Sequence, residues 1–310
     1  MTTANESKTR LTGIFNITVT PFAGDGSIDF SSLDRSIERI VSMGFDGLLI
    51  GGTYGEFPTM SAEERAQLFR RVIEVVRDRV AVLLCSAHTD PRVAIDLTRL
   101  ASQLGGIPMV TPPFASEVND EHIVEFFALI ASATSCGLVI YNAPGVGITL
   151  SPQLIERLSD IEGIIGLKQG DLDPTAIDFL ANRLSGKIKL FCASDLAFPG
   201  PMLAGFDGLS STNSCALPEL ILATYRAMEA GDARTATRLH RSWYPYRALA
   251  RRFGQPQTVK AAMNHRGWNG GIVRRPLQPL RPDQNDQLVD ALVPILVASN
   301  VQAISTKRNV

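Results

Sequence analysis

Eight short apolar runs, separated by longer amphipathic stretches, constrain this chain more than any other feature. The runs are Gly13–Val19, Gly47–Ile50, Val80–Cys85, Met109–Val110, Leu138–Tyr141, Ile164–Lys168, Lys189–Cys192 and Gly208–Ser211. Near-continuous apolar runs of this length read as strands buried on both faces. The stretches between them read as helices. Ser31 to Met43 sets Leu33, Ile37, Ile40 and Val41 on one face. Ser61-x-x-Glu64 is a capping box opening a helix to about Arg77. Asp90-Pro91, Ser151-Pro152 and Asp173-Pro174 each place a proline at a first helical position. Asn119 precedes a helix over His122–Ser132, and Asp195 precedes a short one around Pro199–Ala204, where it reads as a cap first and a site residue second.

Strands that alternate with helices pair in parallel, because each helix carries the chain back across the sheet. Eight such units in about 220 residues favour an α/β fold of the closed (β/α)8 TIM-barrel type. An open doubly wound sheet is the runner-up. That architecture announces a phosphate-binding loop after its first strand. Here Thr20-Pro-Phe-Ala-Gly-Asp-Gly follows, without a G-x-G-x-x-G or Walker pattern. Beyond Pro218 the strands stop. Helical stretches over about 219–230, 232–252, 257–264 and 283–298 exceed what barrel closure needs, so a C-terminal helical appendage is expected. The division is 1–10 as a polar tail, 11–230 as the barrel and 231–310 as the helical region.

A net charge of −1 gives no electrostatic case for nucleic acid or an anionic membrane. No run approaches the roughly 18 apolar residues of a membrane span. Cys85, Cys136, Cys192 and Cys215 are scattered, form no C-x-x-C pair, and fit a reducing compartment. Met1–Arg10 lacks the apolar core of a signal peptide. The expected location is the cytoplasm.

Barrel enzymes build their sites at the C-terminal ends of the strands. Lys168 stands there, at the tip of an apolar strand. A lysine held dry loses its preference for the ammonium form. Its neutral amine can then condense with a carbonyl to form a Schiff base. The plainer reading is a lysine that reaches out to water. Strand two ends in Gly51-Gly52-Thr53-Tyr54-Gly55-Glu56, which offers backbone N–H groups, a hydroxyl and a carboxylate, or simply a tight turn. Tyr141-Asn-Ala-Pro-Gly ends strand five with a phenol that can move a proton, or with an aromatic barrel residue. Ser210 to Asn213 end strand eight with groups that can hold a substrate or cap a helix. His88 could point into the barrel. His122-x-x-Glu125 has the spacing of a metal pair, but no third ligand converges, so a surface helix and no metal are expected. Lys260 reads as an appendage or interface residue.

Taken together, Thr20-Pro-Phe, Gly52-Thr-Tyr-Gly-Glu56, Val110-Thr-Pro-Pro-Phe114, Tyr141-Asn-x-Pro-Gly, Gly166-Leu-Lys168 and Gly205-x-Asp-Gly208 form one pattern. The chain resembles the dihydrodipicolinate synthase/N-acetylneuraminate lyase family of Schiff-base-forming class I aldolases, from about Gly13 to Leu280. The resemblance implies Lys168 as the residue that joins pyruvate or another 2-oxo acid, and Tyr141 as the proton relay. It implies Thr53, with the backbone around Gly52, as the holder of the 2-oxo acid carboxylate. It further implies no metal, no dissociable cofactor, and a homotetramer built as a dimer of dimers.

The departures bear on the reaction. Dihydrodipicolinate synthases carry a second threonine where this chain has Tyr54, a cross-dimer tyrosine where it has Phe114, and a carboxylate-binding arginine where it has Val146. Tyr54 is placed to replace part of the missing hydroxyl relay. Loss of a bidentate arginine removes both charge and orientation. With Gly55-Glu-Phe-Pro-Thr-Met60, this favours a lyase of the 2-keto-3-deoxy sugar-acid aldolase or dehydratase type. The alternatives are dihydrodipicolinate synthase itself and a catalytically silent barrel that binds a 2-oxo acid.

Overall fold

The computed structural model describes residues 2–299. Eight parallel strands close into a barrel in sequence order: β1 (Gly13–Thr18), β2 (Gly47–Ile50), β3 (Ala81–Cys85), β4 (Ile107–Val110), β5 (Leu138–Asn142), β6 (Ile164–Gln169), β7 (Lys189–Cys192) and β8 (Gly208–Ser211). β8 pairs back on β1 through Gly13↔Gly208 and Phe15↔Ser210. Closure leaves no sheet edge to protect.

The barrel interior is filled, not hollow. Phe15 and Phe191 meet edge to face, with ring centroids 4.9 Å apart. Both rings lie where a neighbouring strand has no side chain. A Cβ on Gly47 would fall 2.4 Å from the Phe15 ring, and one on Gly208 would fall 2.6 Å from the Phe191 ring. Glycine at these two positions is therefore a packing requirement.

The ring of helices contains α2 (Phe30–Ser42), α3 (Ala62–Val76), α4 (Pro91–Gln103), α5 (Asp120–Ala131), α6 (Pro152–Leu158), α7 (Pro174–Leu184) and α8 (Pro199–Ala204), with α1 (Ala4–Arg10) before β1. The Ser61/Glu64 capping box forms, and Asp90, Ser151 and Asp173 each accept backbone N–H groups at their helix starts. After β8 come α9 (Pro218–Glu229), α10 (Ala233–Ser242), α11 (Tyr244–Phe253), α12 (Gln255–His265) and α13 (Pro282–Ala298). α12 rests against the turn that follows β2, which brings the C-terminal helices to the rim at the C-terminal ends of the strands. Among the described residues no helix is long and apolar enough to cross a membrane.

Four local expectations change. The polar segment before Leu11 forms α1, opened by a Thr3/Glu6 capping box. β4 begins at Ile107 rather than Met109, with Pro108 inside it. The stretch 232–252 is two helices, α10 and α11, with Pro245 in the first turn of the second; proline cannot supply an interior helical N–H. Finally, Asp195 caps no helix. Phe198 is the residue at the start of α8, and the Asp195 carboxylate turns inward.

Candidate active site

Lys168 lies on β6 beside Tyr141 of β5 and Phe191 of β7. Only 3% of its surface is exposed. Its Nζ sits 4.1 Å from the centroid of the Tyr141 ring, and among the described residues it has no carboxylate partner. Burial without a counter-charge disfavours the ammonium and pulls the Lys168 pKa down to about 7. The thiols of Cys85 and Cys192 would oppose this only as thiolates. Burial pushes Cys192 up to about 12 and raises Cys85 as well, so near neutral pH both carry no charge.

The Tyr141 phenol is the next group outward. Its hydroxyl is 2.7 Å from Thr53 Oγ1, across the barrel mouth from β5 to the end of β2. Burial raises its pKa to about 12, and the Thr53 hydrogen bond offsets only part of the rise. At neutral pH Tyr141 therefore holds its proton while a substantial fraction of Lys168 is the neutral amine, so the pair can offer a proton donor beside an unprotonated amine.

Thr53 is positioned by a 3-10 turn, Thr53–Gly55. Gly52, just before it, is extended, and a Cβ there would come 2.7 Å from Leu49. Thr20 Oγ1 donates to the Gly55 carbonyl at 2.9 Å, tying the turn to the loop after β1. Tyr54 is half-buried; burial raises its pKa, with Tyr141 and Asp195 adding to the rise and Arg251 opposing it. Its hydroxyl makes no hydrogen bond to another described residue.

Glu56 closes the turn in a left-handed conformation, φ 64°. Its carboxylate accepts from Lys260 Nζ at 2.5 Å and from the Arg274 backbone N–H at 2.9 Å. Both side chains of the ion pair are sealed, at 1% and 2% exposure. Lys260 also donates to the Ile272 carbonyl at 2.7 Å, and burial lowers its pKa to about 8 against the pull of Glu56. Sequence reasoning placed Lys260 in the appendage and did not connect it to the site. The appendage in fact ties down the turn after β2 through it. An isolated lysine in the apolar setting Val259-Lys-Ala-Ala was the available signal.

On the opposite rim, Ser210 is buried and donates to the Cys192 carbonyl at 3.2 Å. Asp195 is buried too, and accepts from Ser211 at 2.5 Å and from Asn213 at 3.0 Å. Burial raises its pKa, against those hydrogen bonds. Phe114, 46% exposed, packs on Gly147 at the loop after β5, next to half-buried Val146. His88 does not enter the barrel. It is exposed, and its Nδ1 accepts the Asp90 N–H at 2.9 Å. His122 and Glu125 are exposed on α5, where His122 takes part in the helix cap. Among the described residues no three His, Cys, Asp or Glu side chains converge on a metal position.

This geometry, a desolvated lysine beside a tyrosine–threonine pair on a barrel rim, accompanies extensive similarity to known proteins. The model of the dihydrodipicolinate synthetase family matches residues 10–294. The chain belongs to that family. It is 32% identical to 4-hydroxy-tetrahydrodipicolinate synthase 2 of Halalkalibacterium halodurans over 87% of this chain and 93% of the relative. It is 30% identical to the 4-hydroxy-tetrahydrodipicolinate synthase of Enterococcus faecalis over 90% and 97%. A solved dihydrodipicolinate synthase from Bacillus anthracis superposes with a TM-score of 0.86 at 27% identity, covering 91% of this chain and 97% of that one. One from Acinetobacter baumannii, solved with pyruvate, gives 0.87 at 27% identity over 94% and 100%. Members of the dihydrodipicolinate synthetase family are lyases of the class I aldolase type. The family assignment makes this protein an enzyme of that class, and members in general need no external cofactor.

Proposed function

We propose that the protein is a Schiff-base-forming lyase that acts on pyruvate or a hydroxylated 2-oxo acid, of the 2-keto-3-deoxy sugar-acid aldolase or dehydratase type. The observation that carries this is the buried, unpaired Lys168 against the Tyr141 ring. Its neutral Nζ adds to the 2-oxo carbon. Tyr141 gives its proton to the oxygen as charge develops there, and takes back a proton from the nitrogen through Thr53 or water. Loss of water from the carbinolamine leaves an iminium on Lys168. The iminium accepts the electron pair of the breaking C3–C4 bond, while the C4 hydroxyl loses its proton and becomes the aldehyde. Protonation of the resulting enamine at C3 and hydrolysis return the lysine and release pyruvate. For dehydration, the same iminium first loses a C3 proton to give the enamine, whose electron pair then expels the C4 hydroxyl, which leaves with a proton as water. Thr53 Oγ1 and the backbone around Gly52 hold the carboxylate of the 2-oxo acid, and Ser210 and Asp195 line the far rim. The electron sink is the protein's own iminium, so the chemistry needs no dissociable cofactor.

A second reading is supported by the names of the curated relatives: synthesis of 4-hydroxy-tetrahydrodipicolinate from pyruvate and aspartate semialdehyde. Val146 and Phe114 stand against it, since neither carries the charge or hydroxyl used for the second substrate. Half-exposed Phe114, beside Gly147, fits a subunit boundary near the site, and we assign the enzyme to a cytoplasmic homotetramer. The test is borohydride reduction in the presence of pyruvate. A carboxyethyl group on Lys168 is expected. Its absence with any 2-oxo acid leaves only a silent binder. A substrate panel then compares cleavage of 2-keto-3-deoxy sugar acids with the condensation, and activity confined to condensation selects the second reading.

A further inference from the structure

A cleft of about 480 Å³ opens between the turn after β2 and the α11–α12 junction. Thr53 and Tyr54 form one wall; Ala250, Arg251 and Gln257 belong to the other. Thr53 also hydrogen-bonds Tyr141, so this one residue borders both the cleft and the Lys168 site. Two charged side chains line it, Glu56 and Arg251. Glu56 is neutralised by Lys260 at 2.5 Å. Arg251 is exposed, and among the described residues it makes no ion pair and no hydrogen bond. It lines the same cleft as Tyr54, whose burial-raised pKa it opposes. The cleft thus carries one uncompensated positive charge, from a side chain with a planar fork of donors that matches a carboxylate, next to a phenol whose hydroxyl is unused.

We propose that this cleft is the subsite for the non-reacting end of the substrate, and that Arg251 is the specificity-determining residue that binds a second carboxylate there. The substrate class is a 2-oxo diacid: one carboxylate beside the carbonyl at Thr53, and another at the distal end against Arg251 and Tyr54. The inference rests on the Schiff-base reading for the position of the carbonyl end. It also answers the loss of charge at Val146: the cation has moved from the loop after β5 to α11.

The test compares 2-oxoglutarate with 2-oxopentanoate, which differ in charge at the distal end. Calorimetry gives the affinity of each for the wild-type protein, Arg251→Gln and Arg251→Lys. Wild type is expected to prefer the diacid by roughly 10- to 100-fold, the range of a charge-assisted hydrogen bond. Arg251→Gln is expected to abolish the preference by weakening the diacid alone, and Arg251→Lys to retain part of it. Equal affinities in the wild type, or a preference that survives Arg251→Gln, overturns the assignment. Borohydride trapping is read separately on the same proteins. A diacid preference without any lysine adduct refutes the Schiff-base reading and keeps the subsite. A pyruvate adduct of normal yield without any diacid preference does the reverse.

Discussion

Replacing Lys168 should make the protein more stable. Lys168 is held in a site that lowers its pKa from 10.5 to about 7, with burial as the main cause. In the unfolded chain the same lysine titrates near 10.4. Between these values the unfolded state holds a proton that the folded state does not, so stability rises with pH across roughly 7 to 10.4. Read downward, the folded state loses stability as pH falls through that window, and below about 7 both states are protonated and the loss is complete. A displacement of this size corresponds to on the order of 5 kcal/mol at neutral pH, taken as an upper bound. Lys168→Met keeps an unbranched side chain of nearly the same length and removes the charge. The assay is urea denaturation at one fixed protein concentration, from pH 6.5 to 10, for wild type and variant. The variant should be the more stable at pH 7 by about 2–5 kcal/mol, and the gap should close as pH approaches 10. A variant less stable at pH 7, or a gap that does not change with pH, would refute the claim that Lys168 is dry and uncompensated.

Three further outcomes follow from the same geometry. The rate of Schiff-base formation with pyruvate should rise with pH and reach half its maximum near 7, as the neutral amine becomes populated; stopped-flow measurement that finds a half-point above 9 contradicts the burial argument. Tyr141→Phe removes the proton donor but keeps the ring beside Lys168, so kcat should fall by roughly 100- to 10,000-fold with an intact fold by circular dichroism; a loss below about 3-fold assigns the proton transfers elsewhere. Lys260→Met strands the Glu56 carboxylate in a sealed site, at a cost of about 3–5 kcal/mol. Its Tm should drop by roughly 6–20 °C, while Lys260→Met/Glu56→Gln together should recover much of the loss, and an unchanged Tm for the single variant would show that water reaches the pair.

The barrel was legible because its signals are local. Most strands are short runs dominated by apolar residues, and most helices announce themselves with a cap or a proline at a fixed offset. Expectations failed where a local signal was weak or ambiguous. Pro108 disguised the start of β4. Pro245 split a stretch whose periodicity looked continuous. The carboxylate of Asp195 has a helix downstream but binds Ser211 and Asn213 across the barrel rim instead. The centre of the site was legible for a related reason: a strand tip fixes where a side chain must go, so Lys168 and Tyr141 could be placed on the rim from register alone. Glu56 and Lys260 are 204 residues apart and meet only because the C-terminal helices fold back on the rim. Nothing in either local sequence states that pairing. Arg251 is similar. Its helix could be recognised, but the face turned toward the cleft depends on how α11 docks.

The measurement closest to the central claim is the site of the reduced adduct. The protein is incubated with pyruvate at pH 7.5, treated with borohydride, digested and sequenced by mass spectrometry. One carboxyethyl group per chain is expected, on Lys168, and none in Lys168→Met. An adduct on Lys260 or another lysine, or no adduct at all with wild-type protein, would contradict it.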